Sequence, residues 1–221
     1  MLSVMTNGSG NATRITVLYD PLCGWCYGAT PAVRRLVDAG ARLELVPTGL
    51  FSGEDARRMD AAFATYAWAN DQRIEQLTGQ RFSKRYRDDV LGAHGKMLDS
   101  GPATMAITAA ALADPSRELD ALEAVQAARY IEGRDVTALG VLVDILRTLR
   151  LDVAAMRLSG ADSDLIAAVA ARTANARSIL RAVGARGVPT VVAGEKSLRR
   201  LIPSERLYGP FDDLLRDLHA A

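Results

Sequence analysis

The chain has only two cysteines, Cys23 and Cys26, three positions apart in VLYDPLCGWCYG. An apolar β-type run precedes them and a helical pattern follows, so the pair falls at the start of a helix. A helix N-terminus presents free N–H groups and a partial positive charge, and both favour an anion. The reactive form of cysteine is the thiolate. Cys23 is therefore placed to attack a disulfide, and Cys26, one turn on, to close an intramolecular disulfide or resolve a mixed one. These two residues predict thiol–disulfide exchange. Two other uses of the spacing stay open. Half of a zinc site needs two more soft ligands, and the chain offers only His94 and His219, at no ligand spacing. Two buried, inert cysteines are the other use.

The elements that must position the pair can be read on either side of it. Residues 14–19 (RITVLY) form a β-type run ended by Asp20 and Pro21, and a helix follows from about Cys23 to Ala39, with Pro31 inside it and Gly40 closing it. Residues 42–46 (RLELV) alternate into a second strand, which PTGLFSG breaks. From about Glu54 to Gly184 the chain is helical in character. Stripes such as Leu119, Leu122, Val125, then Leu142, Val143, Leu146, then Leu165, Val169, Ala176, Leu180 read as core contacts of a bundle. Residues 190–193 (TVVA) and 197–202 (SLRRLI) then read as a hairpin turning at Gly194-Glu195, and an amphipathic helix covers about Pro210 to His219.

Composition narrows the function classes. At 221 residues and 49% apolar content the chain is long and apolar enough for a sizeable core. A net charge of +1 gives no pointer to nucleic acid or an acidic membrane surface. The first dozen residues are polar and read as a disordered lead-in rather than a signal peptide, and no apolar run is long enough to cross a bilayer. The expected location is the cytoplasm, where an isolated Cys-x-x-Cys is more often catalytic than a structural staple. No Gly-x-Gly-x-x-Gly follows a strand, so no bound nicotinamide or flavin cofactor is expected, and no metal.

The order β-α-β, a long helical block, then β-β-α, with Cys-x-x-Cys at the first helix and Gly187-Val188-Pro189-Thr190 far downstream, resembles the thioredoxin fold. The inserted helices resemble the DsbA-like branch. Within it CGWCYG, FSKRYRDDVLG, AARYIEGRDVT and GVPTVV are similar to the cytoplasmic FrnE-like and DsbA-related oxidoreductases. The resemblance implies an α/β fold with a thioredoxin-like domain from residues 13–50 and 185–221, a helical insertion domain at 51–184, and residues 1–12 outside both. It implies that Cys23 is the exposed nucleophile, Cys26 the buried resolving cysteine and Pro189 a cis-proline facing them. Val188, just before it, is left to pair with an extended substrate. Protein or small-molecule thiols and disulfides are the expected partners, with glutathione or thioredoxin as external redox partner.

Several residues carry two readings. Gly24-Trp25 departs from the Pro-His of the periplasmic oxidant, which removes a histidine donor to the thiolate. Trp25 is either an apolar contact for substrate or a partly packed cover. Asp20 is either a proton acceptor for Cys26 or a turn residue bonded to backbone. Phe63, Tyr66 and Trp68 either line a groove above the cysteines or are core. Lys196, Arg199 and Arg200 either meet the carboxylates of glutathione or form a solvated edge. Two further functions stay open. One is a glutathione-dependent transferase or isomerase of the kappa-like branch, whose members usually carry Ser where Cys23 stands. The other is a redox-sensing interaction protein.

Overall fold

The computed structural model describes residues 13–160 and 162–219; the expected lead-in lies outside the described residues. A four-stranded sheet has the order β2-β1-β5-β6, from β1 (Arg14–Tyr19), β2 (Arg42–Pro47), β5 (Thr190–Ala193) and β6 (Arg200–Ile202). β1 and β2 run parallel, joined through helix α1 (Gly24–Asp38), and β5 is antiparallel to β1, with Leu18 opposite Thr190 and Ile15 opposite Ala193. Two halves of the chain, more than 160 residues apart, thus share the sheet's centre.

β1 reads as almost continuously apolar because both of its faces are covered. Ile15, Val17 and Tyr19 point into the main core with Ala29, Val33 and Leu36 of α1. Leu18 points the other way, to Val46, Val192 and the Ala176 and Ile179 side chains of α7 (Ser163–Val183). α7 is held there by Arg172, which donates to the Leu45 carbonyl at 2.7 Å and pairs with Glu118.

Between the halves lie α2 (Ala61–Thr78), α3 (Gly101–Ala113), α4 (Glu118–Tyr130), α5 (Leu139–Thr148) and α6 (Asp152–Ser159), followed by α7. α3 is the hub: Ala103, Ala106, Ile107, Ala109 and Ala110 are all inaccessible, and the small alanines let neighbouring helices approach on every side. Ile107, Leu122, Leu142 and Leu165 join Ile15 and Val17 in one continuous core. Arg34 clasps α1 to α4, its Nε and Nη2 donating to the two carboxylate oxygens of Glu123 at 3.0 and 2.6 Å. Helix α8 (Phe211–His219) closes the chain, with Leu214 and Leu218 buried. No helix among the described residues is long and apolar enough to cross a membrane.

Four local expectations need correction. The helical block also contains a two-stranded antiparallel ladder, β3 (Arg57–Arg58) with β4 (Met97–Leu98), too short to show in any periodicity. Residues Tyr86–Leu91 form a π-helical turn. On α7, Ile179 is the fully buried residue and Leu180 only partly so, because the helix packs on the sheet along the Ala176–Ile179 line. The second hairpin strand does not begin at residue 197. Residues Lys196–Leu198 make a 3₁₀ turn, Lys196 has φ +50°, and only Arg200–Ile202 pairs with β5. Leu198 is accordingly 82% exposed.

After α4 the chain turns at Gly133, where φ is +71° and a Cβ would lie 2.8 Å from the backbone carbon of Arg85. A side chain there meets both left-handed strain and main-chain overlap. Gly133→Ala is expected to cost at least about 1–3 kcal/mol of stability, seen as a lower urea midpoint with an unchanged slope. A midpoint equal to wild type contradicts the close approach.

Candidate active site

Cys23 is the N-cap of α1, with extended backbone (φ −84°, ψ 119°), and its side chain makes no capping hydrogen bond. Its Sγ donates to the Val188 carbonyl at 3.8 Å, which joins the start of α1 to the segment entering β5. The Val188–Pro189 bond is cis, and Pro189 is buried. The sequence-based expectation of an exposed Cys23 is corrected: the residue is only 8% exposed. α2 lies across the beginning of α1 and the Val188 segment closes the other side. The two sulfurs are not bridged.

Cys26 lies deeper, and its Sγ accepts from the Asp20 N–H at 3.5 Å. Burial pushes its thiol well above the usual range. The adjoining Cys23 sulfur and the Asp20 carboxylate add to the rise, against the pull of the Asp20 N–H. This sulfur stays protonated until a base takes its proton.

Asp20 is wholly buried. Its carboxylate accepts from Leu22 N–H at 2.9 Å, Phe51 N–H at 3.3 Å and the Ser100 hydroxyl at 2.7 Å, while its carbonyl accepts from Cys23 N–H at 3.2 Å. Asp20 thus shapes the turn, as one of its two sequence readings expected, and it lies next to Cys26. Burial raises its pKa, and the hydrogen bonds from Ser100, Leu22 and Phe51 hold the rise back.

Two hollows flank the motif. One, of about 370 Å³, is lined by Trp25, Val188, Pro189 and Tyr208. The other, of about 180 Å³, is lined by Cys23, Trp25 and side chains of α2 and α4. Trp25 is half-buried and borders both. Its ring meets Tyr208 edge-on at 5.3 Å, and its carbonyl accepts from the Tyr208 hydroxyl at 3.1 Å. Phe63 and Tyr66 line the smaller hollow, whereas Trp68 packs away from it with Arg87 over its ring at 5.3 Å. Lys196, Arg199 and Arg200 line neither hollow, and Arg200 donates instead to the Asp217 carbonyl of α8. His94 is exposed on its loop.

The site also holds residues that sequence reading missed. Asp71 and Arg129 are 4% and 2% exposed and both line the smaller hollow. Asp71 Oδ2 accepts from the Tyr86 hydroxyl at 2.9 Å, and its Oδ1 lies 2.4 Å from where a Cβ on Gly24 would stand. A Cβ on Gly28 would come 2.5 Å from Ile74. Glycine at both positions, on one face of α1, is what lets α2 lie so close. That Gly-x-x-x-Gly spacing was the available signal for a helix packed on the motif. Burial raises the Asp71 carboxyl to about 7, against the lowering effects of the Tyr86 hydroxyl and Arg129.

A family model described as a DSBA-like thioredoxin domain matches residues 14–209. The chain matches no curated protein. Among solved structures it is 30% identical to the cytosolic disulfide reductase DsbM from Pseudomonas aeruginosa, with a TM-score of 0.81 over 94% of this chain and 100% of that one. The same protein solved with GSH gives a TM-score of 0.79 at 30% identity, over 94% and 98%. A 2-hydroxychromene-2-carboxylate isomerase shares the fold at 18% identity and a TM-score of 0.63, over 92% and 95%.

The raised Asp71 carboxyl has a consequence for stability. Between its unfolded value near 3.8 and its folded value of about 7, only the folded state keeps the proton. This group's contribution to stability is therefore lost as pH rises through that window, by about 1.4 kcal/mol per unit. In Asp71→Asn that dependence should vanish, so urea unfolding at pH 4.5 and pH 7.5 should show the variant gaining on wild type as pH rises. A constant difference at both pH values would mean that Asp71 is charged throughout.

Proposed function

The chain belongs to the DSBA-like thioredoxin family of protein-disulfide oxidoreductases, and from that premise we propose that it reduces disulfides through Cys23 and Cys26, drawing electrons from a monothiol such as glutathione. The observation that carries this reading is the placing of the two sulfurs. Cys23 stands at the N-terminus of α1 without a capping hydrogen bond from its own side chain, and Cys26 is enclosed one turn behind it, beside a buried carboxyl.

In the proposed cycle Cys23, at the N-terminus of α1, attacks a substrate sulfur as its thiolate, forms a mixed disulfide and expels the first substrate thiol. The Cys26 proton passes to Asp20, whose pKa is raised by burial and which is therefore a better base for a high-pKa thiol. The Cys26 sulfur then attacks Cys23 and expels the second substrate thiol. Two equivalents of monothiol restore the dithiol. No resident cofactor enters, because the two sulfurs carry the electron pair. Val188, Pro189 and Trp25, on the wider hollow, are the proposed contacts for an extended substrate. Similarity to a reductase described as cytosolic, and solved with GSH, supports a cytoplasmic site of action and glutathione as the reductant.

Removing Cys26 should leave attack intact and abolish resolution. Cys26→Ser is expected to accumulate disulfide-linked adducts through Cys23, released by dithiothreitol, while Cys23→Ser traps almost nothing because Cys26 is enclosed. Mass spectrometry of the adducts identifies the partners: many proteins indicate a general exchanger, and glutathione alone indicates the small-molecule branch. Equal trapping by both variants, or by neither, would sink the attack-and-resolve assignment.

The reduction potential gives a second test. With Gly24-Trp25 between the cysteines no histidine donates to the thiolate, so the reduced form is less favoured than in the strongly oxidising relatives. Titration against glutathione buffers should place the Cys23–Cys26 couple well below about −120 mV and toward about −270 mV. A value at the oxidising end contradicts the assignment as a reductase.

A further inference from the structure

The cycle above leaves unused the second polar group at the cysteines. Asp71 on α2 and Arg129 on α4 face the same 180 Å³ hollow as Cys23. Among the described residues, no carboxylate, Asp71 included, lies within the 4.0 Å of an ion pair with Arg129. The Arg129 Nε has no hydrogen-bond partner, and the guanidinium rests 5.4 and 5.6 Å from the rings of Tyr86 and Tyr130. A basic and an acidic side chain thus border one small cavity, coupled through space but with no ion pair between them.

The chemistry of an occupant follows from that arrangement. An apolar group would leave the Arg129 guanidinium desolvated without a counter-ion and Asp71 held toward its neutral form. A carboxylate alone suits Arg129 and meets Asp71; an ammonium alone does the reverse. A group that carries both satisfies both. The volume is below the roughly 300–1,000 Å³ of pockets for drug-sized ligands, which points to something the size of one amino acid. The sulfur of Cys23 lies on the same wall.

We propose that this hollow binds the zwitterionic α-amino-acid end of a cystine-sized disulfide, with its carboxylate toward Arg129 and its ammonium toward Asp71, and so presents the sulfur–sulfur bond to Cys23. The proposal rests on the reading of Cys23 as the attacking sulfur. Cys23 loses its proton and attacks one sulfur of cystine, forming a mixed disulfide and expelling one cysteine. Cys26 loses its proton, closes the Cys23–Cys26 disulfide and expels the second cysteine. The two protein protons end on the two released thiols. The dithiol is oxidised by two electrons as cystine is reduced by two, and two glutathione molecules then restore it as one oxidised glutathione forms. The burial that lifts the Asp71 carboxyl to about 7 would be offset by a bound ammonium, which returns it to the charged form.

Four small disulfides separate the features. L-Cystine carries both charges, 3,3′-dithiodipropionate only carboxylates, cystamine only ammoniums, and bis(2-hydroxyethyl) disulfide neither. Each kcat/KM, measured on the full chain with glutathione as reductant, is divided by the uncatalysed rate with glutathione to remove intrinsic reactivity. L-Cystine should exceed each of the others at least tenfold. In Asp71→Asn its advantage over 3,3′-dithiodipropionate should fall to about twofold or less. In Arg129→Gln its advantage over cystamine should fall likewise, with Arg129→Lys, which keeps the charge, restoring part of it. Equal normalised rates for the four disulfides overturn the pocket but leave the oxidoreductase reading standing. A cystine preference that survives both neutral substitutions overturns the assignment to Asp71 and Arg129. No exchange with any disulfide overturns the proposed function, and this inference with it.

Discussion

The geometry at the cysteines depends on one buried carboxyl. Asp20 ties four separate pieces of chain together: the Leu22 N–H of its own turn, Phe51 beyond β2, Ser100 at the start of α3, and Cys26 through its own N–H. Each donor it satisfies would otherwise be a buried polar group without a partner, at a cost of about 1–3 kcal/mol apiece. The turn between β1 and α1 therefore cannot move independently of the insertion. Cys23 is held at the cap of α1 and Cys26 beneath it because the residue three positions before Cys23 is anchored on both sides.

The same carboxyl makes the site chemically uneven. It raises Cys26 further, against the pull of the Asp20 backbone N–H, and its own pKa is raised by enclosure. In the proposed cycle the buried Cys26 thiol passes its proton to a buried carboxylate whose basicity the same desolvation has raised. That arrangement suits a sulfur that should act second.

A second linkage runs through aromatic rings. Tyr27, the residue after Cys26, stacks on Tyr130 with ring centroids 4.6 Å apart, and Phe82 and Tyr86 meet Tyr130 edge-on at 5.1 and 4.9 Å. Tyr130 follows Arg129, and Tyr86 holds Asp71. The rings that pack the motif against the insertion therefore also orient the acidic and the basic side chain beside Cys23. Such contacts contribute about 0.5–1.5 kcal/mol each beyond the area they bury, and here they fix two side chains whose positions no local turn could hold.

The sequence alone determined the elements and the dithiol. Strong β and helix periods near residues 14–47 and 190–219, the Cys-x-x-Cys at a strand–helix junction and the distant Val188-Pro189 are all local patterns, and local patterns are what residue spacing encodes. What spacing does not encode is which distant surface covers a residue. Asp71 sits among Asn70, Gln72 and Arg73, and Arg129 among alanines, so neither looks like part of a site until α2 is laid on Gly24 and Gly28 and α4 brings Arg129 to the same cavity. The enclosure of Cys23, the placing of the Asp20 carboxyl beneath the motif, and the short β3–β4 ladder were likewise decided by packing. They depend on contacts between residues 30 to more than 160 positions apart, and the desolvation that sets the chemistry of Cys26, Asp20 and Asp71 exists only once those contacts have formed.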